Sequence, residues 1–315
     1  AFAQFCDGLQ PSTDTRHRWL AALASYQWGR GHACLDLHDW PSQAAEDLAW
    51  TADQLQALPT DLVAGLQTLP WTQGEHSPLV LAGQRLYLRR AWQAEQAIRD
   101  NLQLRLQQAV SAPPDLQAQL DALFGVAGTT TDWQRQACAH AAQHAVTLIT
   151  GGPGTGKTTT VVKLLRLLQA NASAHLRVVL TAPTGKAAAR LSQTMVQARA
   201  QPDAPPTEVL PEQAQTLHRW LQALPSEQVA GLQTDVVVVD EASMIDLEMM
   251  ARLLQAVPLG ARLILLGDKD QLASVEAGAV MAQLCQGSLL SAHTISLLHS
   301  HQQVYLSSKI RPGCR

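Results

Sequence analysis

The chain has 315 residues, 46% of them apolar and 16% charged, with a formal net charge of −3. That is a globular composition with room for two domains of ordinary size. It excludes a polycation that coats nucleic acid through its total charge, and no apolar run approaches the roughly 18 residues of a membrane-spanning helix.

The first residues, AFAQFCDGLQPSTDTRHRWL, lack a charged start followed by an apolar stretch, so no signal peptide is expected. They also lack an initiator Met, so the expectation is a trimmed chain or a fragment. Five cysteines (Cys6, Cys34, Cys138, Cys285, Cys314) are scattered without a C-x-x-C pair. Reduced thiols in a cytoplasmic protein are expected, with no disulfide frame or cysteine zinc site.

Residues 1–110 read as mostly helical, with AAEDLAWTADQLQALP and QRLYLRRAWQAEQAIRDNLQLRLQQAV carrying apolar residues at helical spacing. PLVLAGQRLYL reads as a hairpin with Ala82-Gly83 at its turn. SAPPDLQ (111–117) is a break, and FGVAGTTTDW (124–133) is a loop that ends in a helix cap. A boundary near 125 follows. Beyond it the rhythm becomes strand, loop, helix. AVTLIT (145–150), LRVVLTA (176–182), DVVVVDEAS (235–243) and ARLILLGD (261–268) are near-continuous apolar runs, as strands buried on both faces require. Residues 201–214 are a Pro-rich excursion. The fold expected is α/β, a parallel sheet with its site at the strands' C-terminal ends.

Charge is unevenly spread. Residues 1–125 hold eight Arg, no Lys and thirteen Asp/Glu, a net of −5, whereas residues 157–200 hold seven Lys/Arg and no acid. The second stretch suits a polyanion, or is a solvated helix face beside a phosphate loop.

Gly151 to Thr158 fits G-x-x-x-x-G-K-[ST]. In Gly151-Gly152-Pro153-Gly154-Thr155-Gly156-Lys157-Thr158-Thr159 the backbone N–H groups would converge on the phosphates of ATP. Lys157 would neutralise the β- and γ-phosphates, and the Thr158 hydroxyl would hold Mg²⁺. Asp240 and Glu241 end the valine strand. Asp240 would bind Mg²⁺ through its water, and Glu241 would orient and deprotonate the attacking water, which favours hydrolysis over transfer. In LLGDKDQL, a polar residue such as Asp268 or Gln271 would sense the γ-phosphate, or the stretch is an ordinary strand-to-helix turn.

TAPTGKAAARL places Thr184, the Gly185 N–H and Lys186 where they would grip a sugar–phosphate backbone, or it is routine helix capping. TLHRWL sets Thr216, His218 and Arg219 beside Trp220, which is equally suited to the core. Gln134 in TTDWQRQA would read an adenine edge, or it merely follows Asp132 as the cap of a helix. His140 and His144 stand at i, i+4, but a metal site there is disfavoured because no carboxylate or Cys partner stands at suitable spacing.

DWQRQA, GGPGTGKTTT, APTGKAAARL, TLHR, VVVVDEASMIDLEMMARL and LGDKDQLASVEAGAV together resemble the superfamily 1 DNA helicases, and within them the RecD family, the alpha chain of exodeoxyribonuclease V. The likeness runs from about 130 to 284; the N-terminal half is similar mainly in PLVLAGQRLYLRR. It implies a RecA-like phosphate-loop lobe at 126–286 behind a mostly helical docking domain at 1–125. It implies an ATP-driven motor moving 5′ to 3′ on single-stranded DNA. In that family pattern Gln134 contacts adenine, Lys157 and Thr158 the phosphates and Mg²⁺, Asp240 Mg²⁺, Glu241 the water and Gln271 the γ-phosphate. Pro183 to Lys186, Thr216 and His218 touch DNA. RecB- and RecC-like partners are implied, RecC chiefly at the N-terminal domain, in a complex that processes duplex ends for recombinational repair and keeps its nuclease in another subunit.

Such motors use two lobes and an arginine finger from the second. After Cys285 the text QGSLLSAHTISLLHSHQQVYLSSKIRPGCR carries no second-lobe motif, and neither Arg311 nor Arg315 stands in a finger context, so 287–315 is unassigned. The expectation is a chain that binds nucleotide and hydrolyses it poorly. Two other readings stay open: a phosphate-loop NTPase unrelated to DNA, and a non-catalytic adaptor.

Overall fold

The computed structural model describes residues 1–38, 40, 44–126, 131–200, 210–223, 233–268 and 280–297. By packing, the chain divides into Ala1–Ile98 with Asp246–Ala251, and a second unit that starts at Arg99–Ile245 and resumes at Arg252.

The first unit holds α1 (Phe2–Leu9), α2 (Thr15–Gly29), β1 (Cys34–Asp36), α3 (Ala44–Leu48), α4 (Ala52–Gln56), the strands β2 (Leu79–Ala82) and β3 (Arg85–Leu88), and the start of α5 (Arg89–Leu106). Asp14 caps α2, its carboxylate accepting from Arg16 N–H at 2.9 Å. The Arg16 side chain holds that carboxyl down at about 2. β1 and β2 both pair antiparallel with β3. Ala82 pairs with Arg85, so the hairpin turn is Gly83-Gln84, one residue later than the sequence suggested, with Gly83 at φ 63°. The helical run AAEDLAWTADQLQ is broken in two: Ala49 has φ 52°, and Thr51 starts α4 with a capping box to Gln54. Leu20, Leu35, Leu62, Leu79, Leu86 and Trp71 fill the core. Trp71 satisfies its one polar atom by donating to Gln10 O at 2.8 Å.

The second unit adds α6 (Leu116–Phe124), α7 (Trp133–Gln143), β4 (Val146–Thr150), α8 (Lys157–Ala170), β5 (Val178–Ala182), α9 (Gly185–Arg199), β6 (Gln215–Thr216), α10 (Leu217–Gln222), β7 (Val236–Val239), α11 (Leu247–Ala256, entering from the first unit), β8 (Arg262–Gly267), α12 (Val280–Gln286) and β9 (Thr294–Ser296). Six strands form one sheet in the order β6-β5-β7-β8-β4-β9, and each adjacent pair is parallel. Four consecutive valines make β7 a central strand: β-branched, apolar on both faces, and buried throughout. Each valine contributes at most about 1.5–3 kcal/mol by burial. α8 lays Val161, Leu164, Leu165 and Leu168 into the same core. The edge strands β6 and β9 escaped the sequence because two or three residues carry no periodicity.

Arg105 is fully buried. Its guanidinium donates to Val257 O, to Pro258 O at 3.0 Å and to Leu254 O at 3.1 Å, and its Nε to Asn101 Oδ1 at 2.7 Å. It thereby satisfies carbonyls that the end of α11 leaves open. Burial pushes Arg105 down to about 10.

Candidate nucleotide site

The chain leaves β4 directly into the glycine loop. Gly151 N–H donates to Gly267 O at 3.1 Å, and a Cβ on Gly151 would lie 2.6 Å from Thr155 Oγ1 and 3.0 Å from Leu297 O. Thr155 Oγ1 donates to Gly152 O at 2.9 Å and closes the loop on itself. Gly154 and Gly156 have φ of 77° and 85°, where a side chain is strained. Pro153, Gly154 and Thr159 are exposed; Gly152 and Thr158 are half-buried. The loop delivers the chain to α8, whose N-cap Gly156 offers no side-chain acceptor to the helix's first N–H groups. Lys157 Nζ donates back to Gly151 O and, at 3.2 Å, to Gly152 O.

Gln134 stands on the first turn of α7. Asp132 caps that helix, accepting from Arg135 N–H at 3.0 Å. The Gln134 amide donates to Thr155 O at 3.2 Å and occupies the space a Cβ on Gly156 would need. The helix cap read from the sequence is present at Asp132, and the Gln134 amide is held against the loop. Arg135, which sequence reasoning passed over, is buried, pairs with Asp121 at 2.6 Å, and donates to Gly125 O at 2.9 Å. It fixes α6 against α7.

Asp240 and Glu241 follow β7, separated from β4 in the sheet by β8. Asp240 is 6% exposed. Its N–H donates to Thr181 O at 2.9 Å, and its Oδ1 accepts from Glu241 N–H at 2.9 Å. Burial raises the Asp240 carboxyl above its ordinary range. The Glu241 N–H works against that rise, the Glu241 carboxylate adds to it, and Lys157 and Arg190 oppose it. Lys157 and Arg190 are thus both within electrostatic reach of Asp240. Glu241 has φ 54°, a left-handed backbone rare for a residue with a side chain, and it is half-buried. Asp268, at the end of β8, is buried. Gln271 and Lys269 lie outside the described residues.

The two stretches read as nucleic-acid contacts come together at the β6 edge. β5 and β6 pair in register with Ala182 opposite Thr216. The hydroxyls of Thr184 and Thr216 cap α9 and α10, accepting from Ala187 N–H at 3.2 Å and Arg219 N–H at 3.3 Å. Gly185, Lys186, Arg190, His218 and Arg219 are exposed, and Pro183 is half-buried. Trp220 is 4% exposed and belongs to the interior. His140 and His144 lie at the other end of α7 from Gln134.

Residues 134–277 match the family model described as an AAA domain. Residues 1–87 match the N-terminal domain of RecBCD enzyme subunit RecD. The chain is 40% identical to the RecBCD enzyme subunit RecD of Mycobacterium tuberculosis over 90% of its own length and 49% of that protein. Against the subunit of the same name from Mycolicibacterium smegmatis it is 40% identical over 95% of its length and 54% of the relative. It is 39% identical to the ATP-dependent RecD2 DNA helicase of Deinococcus radiodurans over 51% of the chain and 20% of that protein. The chain spans about half the length of the RecD subunits it matches. The parallel sheet with its glycine loop is a RecA-like phosphate-loop lobe, and the chain, with a match to the RecD N-terminal domain ahead of that lobe, is similar to RecD subunits along most of its own length.

Proposed function

We propose that the chain is the nucleotide-binding and DNA-contacting part of an ATP-dependent 5′ to 3′ helicase subunit. Its track is single-stranded DNA and its partners are RecB- and RecC-like chains, in a complex that processes duplex ends for recombinational repair. The observation that carries this reading is the parallel sheet in which β4 ends in the glycine loop and β7, across β8, ends in the buried Asp240.

ATP is the substrate. The loop from Gly151 to Gly156 and the start of α8 take its phosphates, and Lys157 leaves the loop carbonyls to meet the β- and γ-phosphates. Thr158 and Asp240 offer hard oxygen donors that suit Mg²⁺. When bound, that ion supplies charge neutralisation on the phosphate oxygens. Glu241 holds the attacking water and takes its proton as the water oxygen bonds the γ-phosphorus and the bond to the β–γ bridging oxygen breaks. Gln134 turns its amide to the adenine edge, and Gln271 senses the γ-phosphate. Lys186 and His218 hold the sugar–phosphate backbone on turns shaped by Pro183, Thr184, Gly185 and Thr216. The acidic N-terminal unit docks protein rather than DNA.

Anisotropy of a labelled oligo(dT) tests the DNA half of this reading. Lys186→Ala is expected to weaken binding and to lower the salt slope by about one. Unchanged affinity and slope in a folded Lys186→Ala/His218→Ala double variant contradict it.

A further inference from the structure

His140 and His144 lie one turn apart at the C-terminal end of α7, with ring centroids 3.8 Å apart and planes nearly parallel. Sequence reasoning found no third ligand for them. The fold brings one: His293, in the short turn Ser291–His293 that precedes β9. Its ring packs edge-on against His140 at 5.4 Å and His144 at 4.8 Å. A nitrogen of each of the three rings lies within 4.8 Å of the others.

Hydrogen bonds sort these nitrogens. His144 Nδ1 is 2.8 Å from His140 O. A carbonyl only accepts, so Nδ1 carries the proton and Nε2 keeps its lone pair. His140 has Nδ1 3.3 Å from Thr147 Oγ1 and Nε2 3.1 Å from Ala292 O. His293 Nδ1 is buried with no hydrogen-bond partner, an unusual state for an interior polar atom.

We propose that His140, His144 and His293 form a site for one divalent transition metal of the zinc class. Imidazole donors suit Zn²⁺, Ni²⁺, Co²⁺ and Cu²⁺, and not the hard ions Mg²⁺ and Ca²⁺. Metal–nitrogen bonds of about 2.0–2.1 Å set tetrahedral ligands roughly 3.4 Å apart. On binding, the stacked rings splay and the trio closes. His140 Nε2 exchanges Ala292 O for the metal, and its Nδ1–H goes to Thr147 Oγ1. His144 keeps its bond to His140 O. Both are the orienting contacts that ligating histidines make. Water completes the fourth position. The ion ties α7 to the turn that feeds β9. β9 flanks the glycine loop: Thr150 Oγ1 bonds Ser296 Oγ at 2.9 Å, and Leu297 N–H donates to Thr150 O at 2.6 Å. The role assigned to the metal is to pin that strand.

The test uses the chelator-stripped 315-residue chain, with Zn²⁺ titrated by calorimetry and Co²⁺ by its visible d–d absorption. One equivalent is expected, with Zn²⁺ displacing Co²⁺ and raising the thermal midpoint. His144→Gln and His293→Gln, shown folded by circular dichroism, are each expected to weaken uptake at least tenfold and to abolish the midpoint rise. His76→Gln, at an exposed position, should change neither. If a variant fails to fold, wild type answers alone: Zn²⁺ should protect His140, His144 and His293 from diethylpyrocarbonate in peptide mass spectra. No stoichiometric uptake by the folded wild type, uptake undiminished in both variants, or protection only at other histidines overturns the proposal.

Discussion

The two ends of α7 border two different kinds of polar cluster. At the N-terminal end, Gln134 rests on a loop whose residues are contiguous and whose shape is fixed by its own glycines and the Thr155–Gly152 bond. At the C-terminal end, His140 and His144 meet a histidine that arrives with β9. The first cluster is specified by local backbone geometry. The second depends on strand register: β9 pairs with β4 through Leu148 opposite Thr294, and a one-residue slip would displace His293 and invert the strand's faces. A contiguous motif is robust to the rest of the fold, whereas a cluster assembled by register is a readout of it.

The largest effect expected is at the loop end. Lys157→Ala should weaken binding of a fluorescent ATP analogue with Mg²⁺ by more than tenfold, above 1.4 kcal/mol, without altering Zn²⁺ uptake. Loss of both together would join the two ends. Next comes Arg105, which supports the shared scaffold. Arg105→Met leaves the α11 carbonyls unpaired and should cost about 3 kcal/mol in urea unfolding. A loss under about 0.5 kcal/mol would remove it from the scaffold. Gly156→Ala forces a side chain onto φ 85° and against Gln134, at a cost on the order of 1–3 kcal/mol. Nucleotide binding should fall with it, and relief by Gln134→Ala would identify the collision.

The smallest effect has the opposite sign. Burial raises the Asp240 carboxyl above its ordinary 3.8. The folded chain therefore keeps that proton to higher pH than the unfolded chain does, and stability falls as pH rises from about 3.8 through the folded-state value. Above that window the penalty is constant. Asp240→Asn, which keeps an oxygen for the Glu241 N–H, should raise the melting temperature of the nucleotide-free chain at pH 7. The difference should vanish below about pH 4. A lower melting temperature at pH 7 would contradict the burial argument.

The central strands and the loop were legible because each is a run of adjacent residues with one physical meaning. Four valines before two carboxylates announce a buried strand and a polar end. The edge strands were not legible: Gln215–Thr216 and Thr294–Ser296 are too short for periodicity, and only pairing with β5 and β4 defines them. The TISLL text was the one available hint for β9. Arg135 hid inside a motif read for Gln134, because its partner Asp121 stands on another helix. His293 was invisible for the same reason on a longer scale. Ala49 shows the converse failure, since a single left-handed residue splits a run whose composition reads as one helix.

The coupling of nucleotide to DNA is tested most directly by ATP hydrolysis during titration with single-stranded DNA, with Lys157→Ala as the blank. A wild-type rate that stays low, as a lobe without an arginine finger requires, yet rises with DNA and saturates against a flat blank is the expected result. A rate well above the blank yet indifferent to DNA, with the oligonucleotide in excess, would contradict a DNA motor and favour a phosphate-loop NTPase unrelated to DNA.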